Sequence, residues 1–460
     1  MGGKKLPPGP KGWPIFGNAF DLLEGKGFYV PVLRQWAKEY GSIVLFRIGA
    51  QKHVIISDDK AAQELFSKRG TKYADRYVTH AIGWTTMNQN PALRPRDDFE
   101  GDLTTQHLLR LPHSSKEQIM RFAYAVLTRT LMGFTVNSST DQYILENESF
   151  RNRFMAGFQL DKFPSNVLGF LRRLPKPLIP NSSALETLRK DHLEQVLAVR
   201  KRIEDSIATG TATESSYTKF LRNRDEYKIT DLEISFTYQA MINAGAHNPQ
   251  QALLTALSLL VEYPDWQERL QKEIDEVVGA KRTPNWKDIP QLPLLRAVVK
   301  EAIRIRGLYR EAGLPRRVVD DDFYGEYFFE KGTIFHMNFS TILADEQLYP
   351  DGKTFNPDRY LDPSYPTYRE PLTLYPNCRS FAAFGYGRRG CPGAEFAERT
   401  CVTMLAKLAW GFNMLRPVDM HGKEIEGLNI MDWKFRLVPR DAKRIGVVET
   451  LVSEATTGTD

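Results

Sequence analysis

The chain has 460 residues, of which 42% are hydrophobic and 26% charged, so it is long and apolar enough to bury a large core. Its formal net charge of +6 comes without a long basic run, which argues against nucleic-acid binding. The three cysteines, Cys378, Cys391 and Cys401, form no Cys-x-x-Cys pair, which argues against a disulfide framework or a zinc site and fits a reducing compartment.

No composition shift marks a linker between separate cores, so we predict a single domain over residues 1–460. Within it we distinguish a Pro-rich hinge (1–26), the main fold (27–447) and a tail (448–460). The longest apolar stretch, residues 252–261, is far shorter than the ~20 residues that a membrane-spanning helix needs. It is instead typical of a buried helix.

The N-terminal half alternates helical and β-branched patterns. Apolar spacing predicts a helix over 28–40, and two β-branched runs, 42–48 and 52–57, predict a hairpin. Asp58 or Asp59 then caps a helix that extends through Ser67. Further helices are predicted over 118–132 and 185–208. Between them lies an apolar, basic segment, 163–180, whose composition is typical of a surface loop.

The longest predicted helix begins at a capping box, Thr230-Asp231-Leu232-Glu233, and ends near Glu262. Its middle reads Ala244-Gly245-Ala246-His247-Asn248-Pro249. Pro249 has no N–H and therefore leaves the Gly245 carbonyl without its usual helical donor. A histidine on such a helix is more often packed in the core than catalytic.

The next helix, predicted over 293–306, contains Glu301 and Arg304. Their i, i+3 spacing places both side chains on one face, where such a pair is usually solvated and worth little.

A glycine-rich loop, Phe384-Gly385-Tyr386-Gly387-Arg388-Arg389-Gly390-Cys391-Pro392-Gly393, leads into the next predicted helix. Pro392 suits a first helical turn, and a buried stripe recurs at Ala397, Cys401, Leu405, Leu408 and Phe412. Cys391 is therefore expected at a helix N-terminus, where the N–H groups and the dipole favour a thiolate, the form that ligates soft metals. A buried cysteine after a flexible loop is the plain alternative. A phosphate-binding loop is disfavoured because no Lys-Ser/Thr follows the glycines.

The pattern Phe384-x-x-Gly387-x-Arg389-x-Cys391-x-Gly393 resembles the cytochrome P-450 superfamily, whose axial cysteine lies in such a loop. The resemblance extends from Pro7 to about Val447 and implies a mainly α fold with small β-sheets and a heme b cofactor. It makes Cys391 the iron ligand. Gly387, Gly390 and Gly393 would leave room for the macrocycle, and Arg389 would offer a forked cation to a heme propionate. Phe384 would also contact the cofactor.

In the family the longest helix crosses the distal heme face with the motif Ala-Gly-x-acid-Thr, whose acid and alcohol relay protons to bound oxygen. Here His247 replaces the acid and Asn248 replaces the alcohol, so both become candidate catalytic residues. Ala246 is one of the small residues that would make room for a ligand, and we assign it to the cofactor-binding set.

Further family elements brace the cysteine loop. The sequence Asn356-Pro357-Asp358-Arg359-Tyr360 resembles the element whose arginine joins Glu-x-x-Arg in a buried triad, which implies a structural triad of Glu301, Arg304 and Arg359. The strand-like run 333–337 resembles the small sheet beside the heme. Arg316 is either a propionate partner or a solvated surface residue.

The sequence also departs from the family. Members place a helix with Trp-x-x-x-Arg near residues 77–104, but here Trp84 is followed four residues later by Asn88, so we predict that this helix is missing. By resemblance, segment 163–180 is the lid over the substrate entrance. The Lys-rich, then Pro-rich start resembles the hinge after a membrane anchor, which implies a removed anchor and a place on the cytosolic face of the endoplasmic reticulum membrane.

Three functions follow from the resemblance. The first is oxidation, by hydroxylation or desaturation, of a hydrophobic small molecule with electrons from an NADPH-dependent reductase. The second is redox-neutral chemistry, such as isomerisation, dehydration or cyclisation, because two parts of the oxygen machinery are altered. The third is heme binding without catalysis. Dependence of product formation on NADPH separates the first two, and product formation separates both from the third.

Overall fold

The computed structural model describes residues 5–24, 30–76, 104–106, 108, 115–156, 163–166, 168–226, 229–306, 314–425 and 434–457. Thirteen α-helices dominate this part of the chain. They are α1 (Ala19–Glu24), α2 (Val30–Tyr40), α3 (Asp59–Ala62), α4 (Ser115–Leu127), α5 (Gln142–Ala156), α6 (Ser182–Ala208), α7 (Ser216–Arg222), α8 (Asp231–Glu262), α9 (Pro264–Val277), α10 (Pro293–Arg306), α11 (Phe339–Ile342), α12 (Ala394–Gly411) and α13 (Ala442–Thr457).

The β-structure is small. The strands of the described residues are β1 (Ile43–Ile48), β2 (Gln51–Ile56), β3 (Asp75–Arg76), β4 (Arg316–Arg317), β5 (Asp322–Tyr324), β6 (Tyr327–Phe329), β7 (Ile334–Met337), β8 (Phe412–Leu415) and β9 (Arg436–Pro439). Five of them form one sheet in the order β1-β2-β7-β4-β3, and two further sheets are the two-stranded pairs β5-β6 and β8-β9. The prediction of a mainly α fold with small β-sheets is confirmed.

The central helix α8 organises the core. Its capping box forms as predicted: the Thr230 hydroxyl accepts from the Glu233 N–H at 3.3 Å, and the Thr230 N–H donates to the Glu233 carboxylate at 2.8 Å. Each closed cap is worth about 1 kcal/mol. Most residues of the helix are buried, in a run before Ala240 and a longer run after Ala252. The helix packs against α4, α10 and α12. The helix that follows the cysteine loop therefore lies directly against the central helix.

The hairpin of β1 and β2 leads into the larger sheet. Ile43 lies opposite Ile56 in the antiparallel pair, and β2 then pairs in parallel with β7, so that His53 lies opposite Ile334. β4 completes the connection by pairing antiparallel with β7. This order places Arg316 beside a strand whose four residues are all buried.

Several helix boundaries differ from those predicted from the sequence. Asp58 is the N-cap of α3, since its carboxylate accepts from the Ala61 N–H at 2.6 Å, but the helix widens into a π-helix over Gln63–Lys68. A second π-helical stretch, Thr128–Met132, follows α4. The helix after the cysteine loop begins at Ala394, with Gly393 as its N-cap. Pro392 therefore lies before the first turn, and Phe412 begins β8.

The two chain ends carry more structure than the hinge and tail imply. α1 lies inside residues 1–26, and its Ala19 and Leu22 are buried in a cluster with Leu33 and Trp36. The boundary that we set at residue 447 falls inside α13, where Val448 is buried in the main core. The period of the apolar residues in α13 explains this docking, since Val448 and Val452 share one face.

Segment 163–180 is a run of short 3₁₀ turns, Pro164–Asn166, Gly169–Arg173 and Lys176–Leu178. Phe170 and Leu178 are more than half exposed. Residues 77–103, on which the predicted loss of the Trp-x-x-x-Arg helix rests, lie outside the described residues. Among the helices of the described ranges, none combines the length and the apolar character that a membrane crossing requires.

Candidate active site

The loop before α12 is closed by backbone hydrogen bonds. The Cys391 N–H donates to the Phe384 carbonyl at 2.6 Å, and the Gly390 N–H donates to the Gly387 carbonyl at 2.9 Å. The ring of Phe384 packs against the main core. Of the three cysteines, only Cys391 is exposed, whereas Cys378 and Cys401 are buried. The loop therefore presents one accessible sulfur on a fixed backbone.

Two hydrogen bonds anchor this loop to the rest of the fold. The Tyr386 hydroxyl donates to the Asp59 carboxylate at 2.6 Å, and Arg316 donates to the Tyr386 carbonyl at 2.6 Å. The Arg316 guanidinium also lies 4.8 Å from the centre of the Phe66 ring. Arg316 is 1% exposed, so the alternative of a solvated surface residue is excluded. It is a buried cation beside the cysteine loop.

Two other predicted cofactor-binding residues have different surroundings. Arg389 is exposed, and its Nε donates to the Ala74 carbonyl at 2.6 Å. Gly387 has φ +55°, and a Cβ there would lie 1.9 Å from the Phe66 carbonyl oxygen. Gly387 is therefore required by its contact with the π-helix after α3, and the interpretation that it also makes room for a macrocycle stays a prediction. Gly393 does face open space, since a Cβ would meet only the Cys391 sulfur, at 3.9 Å.

The pKa of the Cys391 thiol is raised by burial, and a hydrogen bond from the Gly393 backbone opposes this rise. The side chain reaches the surface, but the surrounding protein removes much of its water. This desolvation disfavours the charged thiolate and has the largest effect on the pKa of Cys391. We expected the start of a helix to stabilise the Cys391 thiolate. For the thiol alone that expectation is wrong, because α12 begins three residues further on and its N–H groups do not offset the burial. A thiol that coordinates a metal cation is deprotonated outright, so the raised pKa does not oppose a ligand role.

In the middle of α8, Asn248 bonds back to its own helix. Its side-chain amide donates to the Ala244 carbonyl at 2.8 Å. Its Oδ1 atom is buried and has no hydrogen-bond partner among the described residues. Ala246 is fully buried in a cluster against which Phe396 of α12 packs, and the Cys401 thiol lies 3.7 Å from the Pro249 carbonyl. The cysteine-loop helix therefore meets α8 at the predicted site.

The His247 side chain lies where α8 meets α4 and α5. We call this contact the polar seam, because the charged side chains of Lys116 on α4 and of Glu148 and Arg151 on α5 act on His247 there. The His247 Nε2 lies 2.8 Å from the Gln251 side-chain amide nitrogen. Burial lowers the His247 pKa to about 4, with the charge of Arg151 acting in the same direction and that of Glu148 opposing it. His247 is therefore a neutral imidazole at pH 7 and does not reproduce the charge of an acid at this position.

Glu301, Arg304 and Arg359 form a buried cluster. Arg304 forks onto both Glu301 oxygens at 2.8 Å, and Arg359 donates to Glu301 at 3.1 Å. None of the three is more than 1% exposed. The Tyr360 hydroxyl donates to the same carboxylate at 3.2 Å. The predicted burial of this triad is confirmed. The alternative, that Glu301 and Arg304 form a solvated ion pair on the surface, is excluded.

Two further cations on α10 were not predicted from the sequence. Arg296 donates to the carbonyls of Leu372 and Pro376, and Lys300 donates to the Asn377 carbonyl at 2.6 Å. Both bind the segment that leads into the cysteine loop. The signal was present in the sequence, because Arg296, Lys300 and Arg304 recur every four residues and so share one helix face.

Comparison with known proteins decides the family. The family described as Cytochrome P450 matches residues 7–95 and 106–429. A cytochrome P450 monooxygenase from Aspergillus fumigatus, psoD, is 44% identical, over 96% of this chain and 92% of its own length. A cytochrome P450 monooxygenase from Coprinopsis cinerea, COX2, is 30% identical, over 92% of this chain and 85% of its own. The chain belongs to the cytochrome P450 family.

As a cytochrome P450, the protein is a heme-thiolate oxidoreductase, and the family prediction is confirmed. A third relative, the cytochrome P450 monooxygenase verL of Clonostachys rogersoniana, is 27% identical, over 95% of this chain. The identity to these relatives therefore extends over nearly the whole chain and is not confined to the cysteine motif.

The residues of this P450 fit a heme iron. The described residues contain no group of three or more His, Cys, Asp or Glu side chains that would hold a metal without a macrocycle. Cys391 offers a single accessible sulfur, Gly393 leaves the space beside it open, and Arg316 supplies a buried cation near the loop. One axial sulfur with an adjacent cation is the donor set that a thiolate-bound porphyrin with anionic propionates requires. Cys391 as the ligand and Arg316 as a propionate partner remain predictions.

Proposed function

We propose that this cytochrome P450 binds heme b through Cys391 and oxidises a hydrophobic small molecule, by hydroxylation or desaturation, with electrons from an NADPH-dependent reductase. The observation that carries the proposal is the single exposed sulfur of Cys391, held on a closed loop whose helix packs against the middle of α8. The family membership and the monooxygenase names of the relatives support oxygen insertion over other heme chemistry.

When bound, a thiolate-ligated heme activates oxygen for insertion into an unreactive C–H bond. The residues of the chain bind the metal, balance charge and transfer protons. Cys391 holds the metal, and the buried Arg316 balances negative charge beside the loop. His247, neutral at pH 7, can accept a proton at one nitrogen and release one at the other. This gives the seam of α4, α5 and α8 a route for protons without an acidic residue at that position.

Redox-neutral catalysis is the second candidate, and one observation favours it. His247 is neutral, and Asn248 is an amide whose NH2 group donates to the Ala244 carbonyl, so neither residue provides the acid and alcohol of the usual relay. On this alternative, the two side chains would orient or polarise the substrate and would deliver no protons to oxygen.

The experiment that separates the two candidates measures product formation by the purified holoprotein on hydrophobic candidate substrates. Four conditions are compared: complete, without NADPH, without reductase and without oxygen. The proposed oxidation requires all three components and couples NADPH consumption to product. Product that forms at an unchanged rate without NADPH and without oxygen contradicts it and establishes the redox-neutral alternative.

We also propose that the protein works at a membrane surface, with the cytosolic face of the endoplasmic reticulum as the expected place. The support is segment 163–180, where the exposed Phe170 and Leu178 flank Arg172, Arg173 and Lys176. Apolar side chains beside basic ones are typical of surfaces that contact anionic lipid. Co-sedimentation with vesicles containing phosphatidylserine tests this, and loss of binding in Phe170→Ser with Leu178→Ser is expected.

A further inference from the structure

Tyr386 lies between two glycines of the cysteine loop that have a positive φ. Gly385 has φ +79° and Gly387 has φ +55°. Glycine fits such left-handed conformations, but it also restricts the backbone least when a chain can rearrange. The course of the loop between these glycines therefore depends on the contacts that Tyr386 makes with the rest of the protein.

Tyr386 is held from two sides. The residue is 2% exposed. Its hydroxyl donates to the Asp59 carboxylate at 2.6 Å, and its carbonyl accepts from the Arg316 guanidinium at 2.6 Å. A hydrogen bond with one charged partner is about twice as strong as one between neutral groups. Both the side chain and the backbone of Tyr386 are thus fixed by strong hydrogen bonds.

The position of Tyr386 is transmitted to Cys391 through the backbone. The Phe384 carbonyl, two residues before Tyr386, accepts from the Cys391 N–H at 2.6 Å. The Gly387 carbonyl, on the other side of Tyr386, accepts from the Gly390 N–H at 2.9 Å. A shift of the loop at Tyr386 therefore displaces both acceptors, and with them the backbone that carries the cysteine sulfur.

The segment from α3 to β3 supplies the partner of Tyr386. Asp59 is the first residue of α3, but the N-cap of this helix is Asp58, so capping does not require the Asp59 carboxylate. The same segment also contacts the loop at Arg389, whose Nε donates to the Ala74 carbonyl at 2.6 Å. The contact between Tyr386 and Asp59 joins two side chains, so a mutation on either side can remove it.

We propose that Tyr386 is a positioning residue for the iron ligand, because its hydrogen bond to Asp59 holds the loop so that the Cys391 sulfur stays on the heme iron. The inference rests on the proposed function, since it assumes that Cys391 binds heme. When the bond is removed, Gly385 and Gly387 allow the loop to shift, and the sulfur leaves the metal more readily.

The variant Tyr386→Phe tests this, because it removes the hydroxyl and keeps the ring. The reduced, carbon-monoxide-bound holoprotein is titrated with urea, and the red-shifted Soret band of thiolate ligation is compared with the band of heme that lacks the thiolate. At one urea concentration below the unfolding transition, the ratio of thiolate-free to thiolate-bound heme should rise about tenfold. This is the usual effect of losing one hydrogen bond to a charged group.

Two changes at Asp59 test the same bond and leave the sequence of the loop unchanged. Asp59→Leu removes the acceptor and should raise the ratio as much as Tyr386→Phe does. Asp59→Asn keeps a neutral oxygen acceptor and should raise the ratio less. The double variant Tyr386→Phe with Asp59→Leu should match either single variant, because both changes remove one and the same bond.

The matched control is Tyr73→Phe. Tyr73 is also buried, and its hydroxyl also donates to a carboxylate, that of Asp322 on β5, at 2.9 Å. This variant should lose about as much stability as Tyr386→Phe and should leave the ratio unchanged. If the ratio rises equally in the two variants, the loss of ligation only follows the loss of stability, and the inference is overturned.

Equal ratios in the wild type, Tyr386→Phe and Asp59→Leu also overturn the inference. If Tyr386→Phe fails to retain heme, Asp59→Leu decides by itself. A wild type that never shows the red-shifted band would instead refute Cys391 as the iron ligand and, with it, the proposed function. The failure of the inference and the failure of the proposed function are therefore distinguishable.

Discussion

At the scale of single residues, Gly387 shows how the cysteine loop depends on one missing side chain. Gly387→Ala would force a left-handed φ of +55° on alanine and bring its Cβ to 1.9 Å from the Phe66 carbonyl oxygen. The strain alone costs about 1–2 kcal/mol, and the collision requires the backbone to move. We expect a sharp fall in heme content and a lower melting temperature.

Gly422→Ala is the matched control for this change. Gly422 has φ +79° but no atom within 4 Å of a Cβ, so only the conformational strain is added. Heme content should stay at the wild-type level. Equal losses in the two variants would show that the contact with Phe66 does not hold the loop.

A second feature at the residue scale is a pair of buried histidines. His53 on β2 and His336 on β7 approach to 2.9 Å between ring nitrogens and stack at 5.2 Å between ring centres. Burial lowers the pKa of His53 well below its usual value and lowers that of His336 to about 4. The folded protein therefore keeps both rings neutral at pH 7.

This pair predicts a loss of stability in acid. Because the folded pKa values lie below the ordinary value of about 6.5, the unfolded chain binds more protons between about pH 6.5 and pH 4. The free energy of unfolding must then fall as the pH falls through this window, by about 2 kcal/mol at pH 5 for His336. Chemical denaturation at pH 7.5 and at pH 5 measures this difference in the free energy of unfolding.

The double variant His53→Phe with His336→Phe should lose less stability over that pH range than the wild type. His247, with a pKa also lowered to about 4, contributes in the same direction and remains in the variant. Replacing the exposed His421 by asparagine is the control. A pH dependence that is the same in all three proteins would contradict the account of the buried pair.

At the scale of elements, α10 is the brace behind the cysteine loop. Glu301 is fully buried and accepts from Arg304, Arg359 and Tyr360. Glu301→Ala leaves two guanidinium groups buried without their counter-charge, and breaking a buried pair in this way costs about 3–5 kcal/mol. We expect little heme-loaded protein, measured as the ratio of Soret to protein absorbance. Glu395→Ala, which removes an exposed partner of Arg379, should load heme normally.

Arg296 extends this brace toward the loop. Arg296 is 6% exposed, and its guanidinium donates to the carbonyls of Leu372 and Pro376. Arg296→Met keeps the apolar stem but removes both donors, which should cost about 1–3 kcal/mol in the free energy of unfolding. Arg379→Met, in the same segment but with a mostly exposed side chain, should be neutral. Equal stability of both variants would refute the role of Arg296.

At the scale of the whole molecule, the sequence predicted best those elements whose signals are local. The capping box at Thr230 and the hairpin of β1 and β2 depend on residues a few positions apart, and both appear near the expected places. The start of α12 was misplaced because Pro392 tolerates a turn as readily as a first helical turn. Local preference does not decide between those two conformations.

Contacts between distant segments account for the rest of what the sequence did not reveal. His53 and His336 are 283 positions apart and meet only because β2 and β7 pair in parallel. Position 387 requires glycine because a Cβ there would collide with the Phe66 carbonyl oxygen. Phe66 lies on a π-helix that no local sequence pattern predicted. The family resemblance supplied Cys391 and the triad, but it carried no information about the residues peculiar to this chain, such as the Arg296 and Lys300 contacts.

The function proposed for this cytochrome P450 depends on Cys391 as the ligand of the heme iron. The most direct test is the absorbance spectrum of the reduced, carbon-monoxide-bound protein for the wild type, Cys391→Ala, Cys378→Ala and Cys401→Ala. We expect the red-shifted Soret band of thiolate ligation in the wild type and in the two variants of buried cysteines. Only Cys391→Ala should lose that band. A Cys391→Ala protein that keeps the red-shifted band, or a wild type that never shows it, would refute ligation by Cys391.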